Sequence, residues 1–257
     1  MQERPHNISI IIPVFNEERR IEKCLHRTLD YFNSTDWDFE IIIANDASSD
    51  KTADIIERFS RAANTSIKIL SFTTRQGKGL SLKKAAFSST KEYVGYMDAD
   101  LAAEPCEFER LIKFIGEYDI AIGSRLMREG LPPIERPMYR SFLSHGYSLL
   151  FRSLFRVPIC DPQCGFKLFK RQALLDLCNH IYNDGYVFDA ELVVRAIRLG
   201  YRVKEVPINW RHIGNSKIRA GSQIVAMGND LLSLWYNIQK GQPQPRTILE
   251  IDPVLPN

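Results

Sequence analysis

Ile8-Ser-Ile-Ile-Ile-Pro-Val-Phe15 is an apolar, β-branched run interrupted only by Ser9; it stops at Asn16-Glu17 and gives way to a helical pattern over Glu17 to Phe32. A strand with almost no polar face is covered on both sides, the habit of parallel sheets sandwiched between helices. Similar runs recur at Phe39 to Ala44, Ile67 to Phe72, Tyr93 to Met97 and Asp119 to Gly123, separated by helical patterns at Lys51 to Ala63, Leu80 to Thr90 and Glu104 to Tyr118. This alternation predicts a doubly wound α/β fold with a mostly parallel central sheet flanked by helices. Ligands in such sheets sit beyond the carboxyl ends of the strands, which directs attention to Asn16-Glu17, Asn45-Asp46, Thr73 to Gly79 and Asp98 to Asp100.

After residue 125 the pattern changes. A charged, Pro-rich loop from Leu126 to Pro137 precedes a long helical stretch, Met138 to Phe155, that mixes aromatic residues with Arg140 and Arg152. A strand at Gly165 to Phe169, helices at Arg171 to His180 and Phe188 to Leu199, a strand at Arg202 to Pro207 and a helix at Ser222 to Gln239 follow. We expect a single domain over 1–240, with halves 8–125 and 126–240, and an extended Pro-rich tail over 241–257.

Of the 257 residues, 44% are hydrophobic and 25% charged, which excludes disorder and coiled coil as descriptions of the whole chain. Thirty-four Lys and Arg against 31 Asp and Glu leave +3, too slight for a protein that coats nucleic acid. The charge is uneven: residues 123–171 hold nine Lys/Arg and three Asp/Glu, so this stretch carries +6 and the remainder −3. An anionic partner is implied. The five cysteines, Cys24, Cys106, Cys160, Cys164 and Cys178, form neither a disulfide framework nor a zinc pattern, so a reducing cytoplasm is the expectation. No run reaches 18 apolar residues, and any membrane contact is therefore expected to be peripheral, without a transmembrane segment.

Tyr93-Val-Gly-Tyr-Met-Asp98-Ala-Asp100 places two carboxylates at the exit of a buried strand. Hard cations such as Mg²⁺ or Mn²⁺ take oxygen ligands and share them with diphosphate, so Asp98 and Asp100 can join metal and nucleotide; turn or helix-cap aspartates are the plainer alternative. Asp46 can accept a hydrogen bond from a base imide. Lys78, between two glycines, either approaches a phosphate or is solvated on a flexible loop. Ser48, Ser49 and Asp50 suit either a ligand loop or the cap of the next helix.

Pro13-Val-Phe-Asn-Glu-Glu18, Asn45-Asp-Ala-Ser-Ser-Asp-Lys-Thr52, Arg75-Gln-Gly-Lys-Gly79 and Asp98-Ala-Asp100, in this order and spacing, resemble the nucleotide-sugar half of the family 2 inverting glycosyltransferases of GT-A fold. The likeness continues through Gly123-Ser-Arg125, Asp161-Pro-Gln-Cys-Gly-Phe-Lys167, Gly185 to Glu191 and Gly214-Asn-Ser-Lys217, covering about 220 residues in all. The later motifs resemble the polyprenyl-phosphate hexosyltransferases, and within them the dolichyl-phosphate β-glucosyltransferase branch more than the mannosyl branch. This resemblance implies a Rossmann-like, nucleotide-sugar-binding GT-A fold in which Pro13, Phe15, Glu17, Asp46 and Lys78 hold a UDP-sugar. It further implies that Asp98 and Asp100 hold the diphosphate through Mg²⁺ or Mn²⁺, with Lys217 beside it. Arg125, Arg140 and Ser144 fall where the mannosyl relatives grip the acceptor phosphate, and Arg140 and Ser144 are one helical turn apart.

The implied reaction is inverting transfer of a hexose, glucose by the closer branch, to a polyprenyl phosphate. An acceptor hydroxyl would need a carboxylate base, for which Asp189 and Glu191 are the candidates by family position; a phosphate acceptor is already anionic and needs arginines instead. The +6 stretch fits the second requirement. Met138 to Phe155 and Ser222 to Tyr236 suit a peripheral place on the cytoplasmic face of a membrane, and also suit core or the seam of a homodimer. Rival readings are a hydroxyl-acceptor glycosyltransferase, a phosphatase built on Asp-x-Asp, a nucleotidyltransferase and a non-catalytic nucleotide-sugar binder. The phosphatase pattern fails at Ala102, and Pro13 to Arg19 lacks the nucleotidyltransferase's Gly-rich signature. His212 is read either as a diphosphate contact or as a structural loop residue. Cys160 and Cys164 are read as small buried residues, Asp161 as orienting the acceptor loop and Gly165 as serving close backbone approach.

Overall fold

A computed structural model of the protein describes residues 6–63, 67–127, 131, 138–185, 187–213 and 220–240. Its elements are β1 (Asn7–Val14), α1 (Ile21–Asn33), β2 (Asp38–Asn45), α2 (Thr52–Ala62), β3 (Ile67–Ser71), α3 (Lys78–Ser88), β4 (Tyr93–Met97), a 3₁₀ turn (Pro105–Glu107), α4 (Phe108–Ile115) and β5 (Ile120–Ser124). They continue with α5 (Met138–Phe155), β6 (Phe166–Lys170), α6 (Arg171–Cys178), α7 (Phe188–Arg198), β7 (Val203–Pro207) and α8 (Ala220–Gln239). The expected tail over 241–257 lies outside the described residues.

The strands form one seven-stranded sheet in the order β3-β2-β1-β4-β6-β5-β7. β1 runs parallel to β2 and β4, β2 to β3, and β5 to β7, as the apolar runs imply. β6 departs from that pattern: it is antiparallel to both neighbours, with Tyr96 opposite Lys167 and Ile122 opposite the same lysine. The chain leaves β5 and re-enters the sheet from the same edge, so no crossover carries it back to the opposite edge and the pairing must be antiparallel.

Alternate residues of each strand feed opposite layers. Ile8, Ile10, Ile12, Ile41 and Ile43 pack with Leu25, Phe32, Phe108 and Leu111 of α1 and α4. Ile11, Ile42 and Ala44 pack with Leu82 of α3, Phe151 of α5, Leu177 of α6, Val193 of α7 and Leu231 of α8. Burial on both faces is why the strands read as unbroken apolar runs. Four helices begin two or more residues from their expected starts: α1 and α4 four residues late, α3 and α8 two residues early. α1 starts at Ile21, because the Glu17 carbonyl first closes a turn by accepting from the Arg20 and Ile21 N–H groups. α3 starts two residues early, at Lys78, directly after Gly77 at φ +90°.

Candidate active site

Three loops at the carboxyl edge of the sheet are laced together before any ligand enters. The Asn16 N–H donates to Ser48 Oγ at 3.0 Å, and Asn16 Oδ1 accepts from the Ser49 N–H at 2.8 Å. The Glu17 N–H donates to Thr52 Oγ1, and Asp50 accepts from the Thr52 N–H just ahead of α2, whose cap position is Lys51 without a side-chain cap bond. Asn16, Ala47 and Leu101, which follow β1, β2 and β4, all adopt φ between 54° and 57°, a conformation that non-glycine residues hold only when their surroundings over-determine it.

Asp46 is buried, and its two oxygens accept the Gln76 N–H at 2.6 Å and the Gly77 N–H at 3.0 Å. Its first task is thus to shape the turn before α3, and each oxygen keeps a second lone pair for a ligand. A Cβ on Gly77 would lie 2.5 Å from the Asp184 carbonyl oxygen, so the turn passes hard against the 181–184 loop. Phe15 is half-buried, with the Arg75 guanidinium 4.1 Å over its ring; Pro13, opposite Ala44, and Glu17, near Arg20, line the same edge.

Lys78 is the first residue of α3 and not part of a flexible loop. Its Nζ donates to Asp98 Oδ1 at 2.9 Å and to Asp189 Oδ2 at 3.3 Å. Behind it, Tyr96 Oη and Lys167 Nζ both donate to Asp189 Oδ1, and Lys167 donates to Tyr96 Oη at 2.8 Å. Burial alone would raise the Asp189 carboxyl, but the ammonium groups of Lys167 and Lys78 outweigh it and hold the group well below the usual carboxylate range. Burial and the neighbouring Asp98 push Asp100 the other way, upward.

Among the described residues no cluster of three or more metal-ligating side chains occurs. Asp98 and Asp100 nevertheless fit Mg²⁺ or Mn²⁺ in the manner usual for Mg²⁺, one or two carboxylates completed by substrate phosphate oxygens. Sequence reading missed Tyr96 and Lys167; the available signal was a lysine inside the otherwise apolar strand Phe166-Lys-Leu-Phe169.

Two of the residues expected to serve the acceptor are already engaged by protein partners. Arg125 is not a free phosphate grip: Nε and an Nη each donate to Asp161 at 2.7 Å, and its backbone N–H donates to the same carboxylate. Asp161 is buried, and its own N–H and that of Cys160 are held by Glu205. Arg125 therefore offers only its remaining N–H groups. Glu191 does not reach the site at all. It is fully buried and accepts from the Tyr182 and Asn183 N–H groups, from Asn183 Nδ2 and from Arg195 Nε, pinning the 181–184 loop. A carboxylate so saturated is no general base.

Ser144 lies half-buried on α5; Arg140 is on the same helix, but its side chain lies outside the described residues, as does all of Lys217. His212 rests near Trp210, their ring centroids 6.1 Å apart. Burial pushes the Cys164 thiol up to about 12, in keeping with a small, inert core residue; Cys160 is half-buried.

Residues 9–178 match the family description Glycosyl transferase family 2. The chain belongs to that family. Among family relatives, it is 33% identical over 244 residues to dolichyl-phosphate beta-glucosyltransferase ALG5C of Trichomonas vaginalis, covering 91% of this chain and 72% of that one. The dolichyl-phosphate beta-glucosyltransferase of Mus musculus is 29% identical, covering 88% of this chain and 74% of its own. Glycosyltransferase AglD of Haloferax volcanii is 34% identical over 90% of this chain, which spans 37% of AglD. A crystal structure of glucosyl-3-phosphoglycerate synthase from Mycobacterium tuberculosis, in complex with Mn²⁺, uridine-diphosphate and glucosyl-3-phosphoglycerate, superposes with a TM-score of 0.66 at 17% identity, over 93% of this chain and 81% of that one. The seven-stranded sheet with helices on both faces is thus the GT-A-like arrangement expected of family 2.

Proposed function

We propose that this family 2 enzyme transfers glucose, with inversion, from UDP-glucose to a polyprenyl phosphate of the dolichyl type, giving a β-linked lipid-phosphate sugar. The names of the relatives favour glucose and the lipid acceptor. The observation that carries the choice of acceptor is Asp189: the only expected base that lies at the site is paired with two ammonium groups and held far below the usual carboxylate range. A site without a free base suits a nucleophile that is already ionised.

In this reading Asp98 and Asp100 hold Mg²⁺ or Mn²⁺, which when bound supplies charge neutralisation to the donor diphosphate. Lys78 adds a fixed positive charge beside the departing phosphate, worth most in a site where it needs no reorganisation. Phe15, Pro13, Glu17 and Asp46 border the nucleoside. Arg125, through its uncommitted N–H groups, together with Arg140 and Ser144, offsets repulsion between acceptor phosphate and donor diphosphate.

No helix among the described residues is long and apolar enough to cross a membrane. α5 and α8 nevertheless expose Phe142 (80%), Leu149 (67%), Trp235 and Tyr236, with Arg152, Arg156 and Lys240 alongside. We place this face against an anionic membrane surface, where the acceptor's hydrocarbon lies. The test is transfer from UDP-[¹⁴C]glucose to a short polyprenyl phosphate in detergent, with Mg²⁺ or Mn²⁺ and an EDTA control. Metal-dependent label in the organic phase is expected. UDP release without labelled lipid overturns the choice of acceptor.

A further inference from the structure

Among the described residues, the Lys167–Tyr96–Asp189 cluster is a buried charged assembly that reaches Lys78 at the site and that the proposed chemistry leaves without a task. Lys167 sits on β6 directly opposite Tyr96 of β4, fully buried, between the two aromatic strand residues Phe166 and Phe169. A buried ammonium is costly unless paired, and among the described residues the carboxylate it pairs with is Asp189. Asp189 is shared: one oxygen faces Lys167 and Tyr96, the other faces Lys78.

The charges decide what this sharing does. Lys78, Lys167 and Asp189 together carry one net positive charge, and Lys78, one-third exposed, is the member that reaches Asp98 at the mouth. Without Lys167, Asp189 would cancel Lys78, and the mouth would lose the charge of the ammonium that contacts Asp98. We propose that Lys167, braced by Tyr96, is a positioning residue: by neutralising Asp189 from inside the protein it leaves Lys78 as a surplus cation for the donor's diphosphate. Lys167 touches no substrate and acts through Asp189 alone. The inference rests on the donor half of the proposed function and is independent of the acceptor.

The experiment compares wild type, Lys167→Met, Asp189→Asn and the double variant by calorimetric binding of UDP and of uridine in Mg²⁺, and by kcat and KM for UDP-glucose. Lys167→Met is expected to weaken UDP about tenfold, the size of one hydrogen bond to a charged group, while leaving uridine unchanged. It should also lower kcat by on the order of 10²-fold, as loss of one charge-stabilising donor does. Adding Asp189→Asn removes the uncompensated carboxylate, so the double variant should bind UDP nearly as wild type does and recover most of kcat. Equal loss for UDP and uridine, a double variant no better than Lys167→Met, or Lys167→Met indistinguishable from wild type each overturns the inference. Should Lys167→Met fail to fold, Tyr96→Phe keeps the ring and removes the brace: weaker UDP with unchanged uridine supports the relay, and unchanged UDP refutes it. Absence of glycolipid with these binding differences intact would count against the acceptor assignment and not against Lys167.

Discussion

Gly165→Ala separates the placement of Asp98 from every other property of the site. Gly165 immediately precedes β6, and its carbonyl accepts the Asp98 N–H at 3.2 Å, so its backbone is tied to the residue it faces. A Cβ there would fall 2.0 Å from Asp98 Oδ2 and 2.5 Å from its Cγ, where contacts below 3.0 Å are essentially never found. The carboxylate must retreat by about 1 Å, a displacement that in a reacting geometry costs on the order of 10²-fold in rate. Asp98 is 48% exposed, so the side chain can swing aside cheaply, and stability should change by less than ~0.5 kcal/mol, or about 2 °C in Tm. The assay is initial-rate release of UDP from UDP-glucose in Mn²⁺, with and without acceptor, beside a thermal melt. A Gly165→Ala protein that melts as wild type does and keeps more than about one-third of its rate would show that Asp98 need not stand where it does. A Tm loss above ~5 °C would place the fault in folding instead.

Other consequences can be measured in the same preparations. Asp161→Asn removes the buried partner of Arg125 and should cost ~3–5 kcal/mol, roughly 10 °C in Tm; a melt within about 2 °C of wild type would mean that the Arg125 guanidinium is solvated. Glu40 is buried, which by itself would raise its carboxyl, but hydrogen bonds from Lys68, Ser9 and Thr90 prevail and bring it to about 2. With the folded value depressed, its contribution is complete above about pH 5 and is lost as the pH falls towards 2, so the Tm gap between wild type and Glu40→Gln should narrow from pH 7 to pH 3. EDTA should stop transfer without lowering Tm, since Asp98 and Asp100 lie at the open edge of the sheet; a lower Tm in EDTA would reveal a structural metal.

What the sequence made legible was governed by local physics. Strands buried on both faces announce themselves as apolar runs, so β1, β2, β4 and β5 fall within about one residue of expectation. The direction of β6 was not readable, because periodicity says which faces are covered and nothing about which way a strand runs. Pairing was hidden for the same reason. Lys167 meets a tyrosine 71 residues before it and an aspartate 22 residues after it, and no spacing rule links such positions. Asp189 and Glu191 look equivalent as nearby carboxylates, yet the two-residue offset, about half a helical turn, aims the first at Lys78 and the second into the 181–184 loop. Arg125 was rightly placed at a strand end, but the claim of Asp161 on its guanidinium appears only once Asp161 is seen beneath it.

The antiparallel strand also sets the order in which the protein can be completed during synthesis. β4 and β5 are not neighbours; β6 lies between them and joins them. A nascent chain that has emerged only to residue 125 therefore leaves the facing edges of β4 and β5 open, each offering unpaired backbone groups to any other chain, until Phe166–Lys170 arrives to seal those two at once; the far edge of β5 waits for β7. The 8–125 half is thus not a detachable module. Grafting it onto a different second half would succeed only where the graft supplies a strand that runs antiparallel into that gap, which makes β6 the natural seam for building chimeras.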